Sequence, residues 1–290
     1  MTERTYKITL GFFYLLGFSV VVYTVLNFFE YYSLPIVERP HSALHFSAKP
    51  GGRWGHGMGI TGSAMILLLF LYSLRKRNFF SYGTLSHWLG IHIMLGILGP
   101  VFVTLHTAFK FGGVVAVSYF SMVAVMVSGV FGRYLYLQIP RAISGGELSR
   151  EEIAEKRMAM AQLLREQYGL DERQLEEMES VLKVPDSETK SVIRILFSTI
   201  LCDLLRATRK RTLKKLVGNS MIDRSARDVH RATGIITSRA LLVRKALLLD
   251  VFQQIFYYWH LIHKPFAFVM ILIMILHVMI VTLLGYRWIF

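Results

Sequence analysis

A single cysteine, Cys202, stands in 290 residues. That scarcity excludes an internal disulfide, a thiolate-held iron–sulfur cluster within this chain, and haem attached through a Cys-x-x-Cys-His motif. No Walker-type phosphate loop is present, and Ser144-Gly145-Gly146 is too short to be more than a turn. Acidic residues are also few: 19 Asp and Glu face 33 Lys and Arg, a net charge of +14. With 53% hydrophobic residues, such a basic balance points to cytoplasmic loops and anionic headgroups rather than to nucleic acid. The apolar run from about Ile8 to Phe29 is long for a secretory signal and lacks a small-residue cleavage site. It reads as a retained transmembrane helix.

What the chain does have is long apolar segments. Five are long enough to cross a hydrocarbon core of about 30 Å, at about 8–29, 56–74, 87–109, 114–136 and 264–286. The expected fold is all-α: a polytopic membrane helix bundle of five transmembrane helices, with a helical cytoplasmic insert between spans four and five. The domain reading is 1–138 for spans one to four, 139–255 for the cytoplasmic helical domain, and 256–290 for span five and the C-terminus. Arg75-Lys76-Arg77 and the basic residues from Arg141 to Lys245 lie on one side of such a bundle, and Arg4 and Lys7 agree. The positive-inside rule makes that side cytoplasmic. The first loop and Arg287-Trp288-Ile289-Phe290 then face the opposite, periplasmic side of a bacterial inner membrane.

Histidines carry the chemistry. His92 and His106 are 14 apart in span three, and His263 and His277 are 14 apart at span five. A step of 14 falls about 40° short of four helical turns and advances about 21 Å. Each pair therefore projects from one face of its helix. Both spans are odd-numbered and run parallel, which sets His92 level with His263 near the cytoplasmic face, and His106 level with His277 near the other. Two such helices can clamp two haems, each iron between two imidazoles. Using His87 or His260 instead misses a common face by about 100°. Single intramembrane histidines also serve as helix-to-helix hydrogen bonders. Four in two matched pairs favour ligation, because polar groups in the bilayer are costly and mark function. With one cysteine such haems are b-type, and two axial ligands per iron favour electron transfer over oxygen chemistry.

Other residues are secondary candidates. Arg133, Arg53 and Lys264 are cations for haem propionates, with interfacial snorkelling as the plain alternative. His56, His87 and His260 are candidate quinone or propionate contacts, or interfacial anchors, and His56 is a bare candidate for a third haem. His41, His45 and His230 read as solvated. Gly55, Gly57, Gly59, Gly62, Gly90, Gly96 and Gly99 would admit a flat macrocycle or a neighbouring helix. Met65, Met94, Met122, Met126, Met270 and Met274 read as core or lipid contacts rather than ligands.

The segment 139–255 reads as helices. Ser149-x-x-Glu152 is a capping box, and further helices are expected at about 171–183, ending before Pro185, at 188–217 and at 222–250. The 188–217 helix carries an amphipathic stripe of Ile193, Leu196, Phe197, Ile200, Leu201, Leu204 and Leu205. Charge divides within the segment: residues 139–189 hold 12 acids and 7 bases, and residues 190–250 hold 4 acids and 14 bases. The basic half suits a membrane surface, and the acidic half the cytoplasm or a partner.

With His92-x13-His106 and His263-x13-His277 in place, the chain resembles the dihaem b-type membrane cytochromes. These include ferric-reductase-like proteins and NADPH oxidases, membrane subunits of nitrate reductases, and cytochrome b of respiratory bc complexes. The resemblance covers about 56–136 and 258–286, roughly half the chain, and its specific part is the two His pairs. It implies haem-iron ligation at those four positions and electron flow across the membrane. Two departures stand out: no flavin and nicotinamide domain follows the last span, and the 139–255 insert is not part of the ferric-reductase pattern. The expected function is a dihaem membrane subunit of a respiratory oxidoreductase, linking the quinone pool to separate flavin, iron–sulfur or multihaem subunits. Two alternatives stay open: ferric-reductase-like transfer to an extracytoplasmic acceptor, and a haem-free anchor or transporter whose histidines bind protons or metal.

Overall fold

A computed structural model describes residues 2–140, 147–183, 191–222 and 224–285, the side chain of Val114 excepted. Ser144 to Gly146, Pro185 and Arg287 to Phe290 lie outside the described residues, as does Arg141. The fold is all-helical, with no strand among the described residues. Five helical segments are long and apolar enough to cross a membrane: Glu3–Ser33, His45–Lys76, Leu85–His106, Val115–Gln138 and Leu249–Leu283. The protein is a membrane protein. The chain divides into two compact units, Met1–Arg133 with Trp259–Phe290, and Tyr134–Tyr258.

The first unit starts with α1 (Glu3–Ser33), capped by Thr2, whose hydroxyl accepts from the Thr5 amide. The loop beyond it is more ordered than a polar linker. It makes a 3-10 turn at Arg39–His41 and the short α2 (His45–Ala48). Arg39 is buried there and donates to the carbonyls of Leu34, Tyr32 and Ala108. His45 is not solvated, because its Nδ1 lies 3.1 Å from the Tyr31 hydroxyl; His41 is exposed.

The second crossing is broken into α3 (Arg53–Leu68) and α4 (Phe70–Lys76), joined through Leu69. The third is α5 (Leu85–His106), with Pro100 inside it. The fourth and fifth are α6 (Gly113–Gln138) and α12 (Leu249–Leu283), the numbers α7 to α11 belonging to the helices between them. α3 lies antiparallel and close against α5. A Cβ on Gly62 would meet Val103 at 2.8 Å and the Gly99 carbonyl at 3.0 Å. Two glycines therefore let the backbones approach, the small-residue packing used where lipid removes the hydrophobic drive between helices. Gly57-Met58-Gly59-Ile60-Thr61-Gly62 has the spacing of a dinucleotide loop, yet it lies wholly within α3, where Gly62 serves this contact and Gly59 faces the His106 ring.

The second unit holds α7 (Arg150–Tyr168), α8 (Glu172–Ser180), α9 (Val192–Leu204), α10 (Arg206–Ser220) and α11 (Ala226–Leu247). The capping box at Ser149 and Glu152 forms, and a second one forms at Asp171 and Gln174. The helix expected over 188–217 is two helices, broken at Leu205. Leu164, Leu175, Met178, Leu213, Val217, Ala232 and Ile236 make one apolar core. Arg239, 5% exposed, reaches Glu172 at 2.5 Å and Glu179 at 2.7 Å across that core's edge. A further buried ion pair ties α9 to α11. Arg244 lies 2.8 Å from Asp203, which also accepts from Tyr134 at 3.1 Å and Gln138 at 3.0 Å. Lys245 donates to the Leu137 carbonyl at 2.6 Å, and burial pushes its ammonium below the usual lysine range.

Asp203→Ala is expected to strand the buried Arg244 charge. The cost should be on the order of 3 kcal/mol, read as a lower unfolding temperature of the purified protein, and Asp203→Asn should recover part of it. A melt unchanged by Asp203→Ala would show that this ion pair does not hold the unit together.

Candidate functional site

An imidazole inside a bilayer needs an acceptor for its N–H, since no bulk water is there to take it. Three of the four paired histidines have one. His92 Nδ1 lies 3.2 Å from the Leu69 carbonyl, and His106 Nδ1 lies 2.9 Å from the Gly55 carbonyl. A carbonyl only accepts, so Nδ1 carries the proton in both rings. His263 Nδ1 lies 2.7 Å from the Ser128 hydroxyl, which itself donates to the Val125 carbonyl at 3.0 Å. With its own proton spent, Ser128 accepts from His263. In all three rings Nε2 is left with its lone pair, and it makes no hydrogen bond among the described residues. His277 is half-buried and has no hydrogen bond among the described residues.

Local structure explains these acceptors. Leu69 falls at the break between α3 and α4, where its amide turns back to Ile66 at 3.2 Å and the regular ladder is interrupted. Its carbonyl is open to the side. Gly55 lies one turn below Gly59. A Cβ at Gly59 would sit 2.6 Å from His106 Nδ1, so only a missing side chain lets the ring reach the Gly55 carbonyl.

The histidines form two levels. His92 and His106 reach Leu69 and Gly55 at opposite ends of α3, and His263 and His277 lie 14 residues apart on α12. The hydrogen bonds give the directions: Ser128 with His263 and Ser118 with the Met270 carbonyl at 3.0 Å make α6 antiparallel to α12. Between the levels sits an apolar layer of Ile66, Met122, Met270 and Met274, with Val103, Tyr119 and Val123 against it. α5 reaches α12 through such side chains, and among the described residues the two backbones do not pack closely.

The first level has aromatic walls. Tyr72 lies 5.0 Å from the His92 ring, and Trp259 lies 4.7 Å from the His263 ring. Trp259 donates to the Ser128 carbonyl at 2.8 Å and fills the space that a side chain at Gly132 would occupy. His260 packs edge-on to Trp259. His87 is engaged elsewhere: it stacks on Tyr6 at 3.9 Å, and its Nε2 lies 3.0 Å from Glu3. Arg133 is half-buried, while Arg53 and Lys264 are exposed. Arg133 belongs to the first level, five residues beyond Ser128, and Arg53 to the second, two residues before Gly55.

Sequence reasoning missed Leu69, Ser128, Tyr72 and Trp259. Ser128 carried a signal, being a hydroxyl in the otherwise apolar stretch Val123–Val130. Gly59, Gly62 and Gly99 serve helix contacts and the seating of His106, and Gly90 lies against the Tyr6 hydroxyl. The buried methionines Met94, Met122, Met270 and Met274 belong to apolar clusters.

The donor set suits haem iron. Neutral imidazoles offering Nε2, each turned by a fixed Nδ1 hydrogen bond, are the arrangement that orients axial ligands. Among the described residues no three His, Cys, Asp or Glu gather to hold a lone metal ion. No family model, curated protein or solved structure matches this chain.

Ser128→Ala is expected to cost about 1 kcal/mol through the stranded His263 N–H, and nothing further in a His263→Phe background. Unfolding temperatures of the four proteins in this double-mutant cycle measure the coupling. Additive effects would remove the Ser128–His263 bond.

Proposed function

We propose that this chain is the dihaem b-type membrane subunit of a respiratory oxidoreductase, moving electrons across the bilayer between the quinone pool and separate redox subunits. The observation that carries the reading is the set of Nδ1 anchors on His92, His106 and His263, which leaves the Nε2 lone pair of each ring able to bind iron. His92 with His263 would hold one haem, and His106 with His277 the other. Bound haem supplies one-electron iron chemistry at a potential set by its surroundings.

The chain's own residues do the rest. Two imidazoles at each level would hold the iron, an arrangement that would favour electron transfer over oxygen chemistry. Leu69, Gly55 and Ser128 fix how the imidazoles are turned, so little reorganises when charge passes. The layer of Ile66, Met122, Met270 and Met274 excludes water between levels about 21 Å apart along the helix axis. Arg133 and Lys264 offer cations to propionates at the first level, and Arg53 at the second. His56 is the candidate for a quinone headgroup, whereas His87 is held by Glu3 and Tyr6.

In this reading the N-terminus and residues 139–255 face the cytoplasm of a bacterial inner membrane and the C-terminus faces the periplasm. Flavin, iron–sulfur or multihaem subunits would dock as electron partners. The ferric-reductase-like alternative uses the same four ligands with an extracytoplasmic acceptor.

Purified protein is expected to give b-type bands in a reduced-minus-oxidised spectrum; their absence sinks both cytochrome readings. His106→Ala and His277→Ala should each halve haem content and remove the same spectral component, and His92→Ala and His263→Ala the other. Loss of different components within a pair would refute the pairing. Reduction of the haems by added quinol, blocked by a quinone-site inhibitor, favours the respiratory reading over the ferric-reductase-like one.

A further inference from the structure

The face of α9 that looks away from its unit is apolar and open. Ile193 is 81% exposed, Phe197 67%, Leu201 44% and Leu204 75%. On a helix these four positions fall within about 80° of one another. The opposite face, Ile195, Ser198, Thr199 and Cys202, is buried. α9 is therefore seated by one side and presents a second apolar stripe that is left exposed among the described residues. Its one acid, Asp203, is turned inward to Arg244, Tyr134 and Gln138.

One residue later α10 begins, and its sequence RATRKRTLKKLVGNS holds six cations and no acid. Arg209 is bound to the Lys183 carbonyl and Cys202. Lys210, Arg211, Lys214 and Lys215 are exposed and make no ion pair among the described residues. An apolar stripe followed at once by uncompensated cations matches the boundary of an anionic bilayer: acyl chains for the stripe, headgroup phosphates for the cations. The chain is also tethered there. It enters this unit from the span Val115–Gln138 and leaves it into the span Leu249–Leu283, so a membrane surface is in reach at both ends.

We infer that α9 lies in the headgroup region of an anionic membrane, its Ile193–Phe197–Leu204 stripe among acyl chains, with the cations of α10 on lipid phosphates. The partner is the lipid surface itself. The inference does not rest on the haem reading, and a chain without haem could still show it.

The test uses full-length protein in bilayers with and without phosphatidylglycerol. Spin labels are placed by Ile193→Cys, Phe197→Cys or Leu204→Cys, each with Cys202→Ser. In phosphatidylglycerol bilayers the labels should be several-fold more accessible to oxygen than to a water-soluble nickel chelate. In phosphatidylcholine alone, or after Lys210→Gln, Arg211→Gln, Lys214→Gln and Lys215→Gln together, that preference should fall. Labels open to nickel in both bilayers, or shielded from both reagents as under a protein partner, would overturn the inference. So would insertion indifferent to headgroup charge. The unmodified chain gives a second reading that no folding defect can obscure: photoreactive phosphatidylglycerol should cross-link within 192–215, and cross-links confined to the five spans would overturn the inference.

Discussion

An N–H in hydrocarbon must find an acceptor, and a regular helix hides nearly all of its own carbonyls. That constraint organises the first unit. His92 is served where the second crossing breaks at Leu69, and His106 where Gly59 leaves the Gly55 carbonyl uncovered. Both acceptors belong to α3 or its junction with α4, so α5 must lie close against them. The Gly62–Gly99 approach is what brings it there. His263 takes the other route, a side-chain hydroxyl on α6 whose own proton is already spent on Val125.

The chemical consequence is direction. A ring whose Nδ1 is tied cannot rotate freely, and its Nε2 points where the backbone decides. The apolar layer between the levels keeps each level's surroundings dry and separate. The aromatic walls of the first level, Tyr72 and Trp259, have no equally close counterparts at His106 and His277 among the described ring contacts. The two levels therefore differ in their ring surroundings.

The second unit solves a different problem, with charges that must be buried. Arg239 and Arg244 are nearly inaccessible and each is met by carboxylate. Pairing inward in this way spends Glu172, Glu179 and Asp203 on the core. Lys210, Arg211, Lys214 and Lys215 of α10 are exposed and make no ion pair among the described residues.

Hydropathy and spacing alone determined the helical class, the five apolar segments and the alignment of His92 with His106 and of His263 with His277. These depend on local periodicity and length, which a sequence displays directly. The capping box at Ser149 was legible for the same reason: its bonds join residues three apart. Only the tertiary structure decided which atoms receive the imidazole protons. Leu69 is an ordinary leucine until the helix breaks beside it, and Gly59 is one glycine among several until a ring from another helix lies against it. The break at Leu205 and the open face of α9 were likewise invisible, because an amphipathic stripe does not say which of its sides a neighbour will cover. Contacts between residues distant in sequence assign such roles, and periodicity carries no record of them.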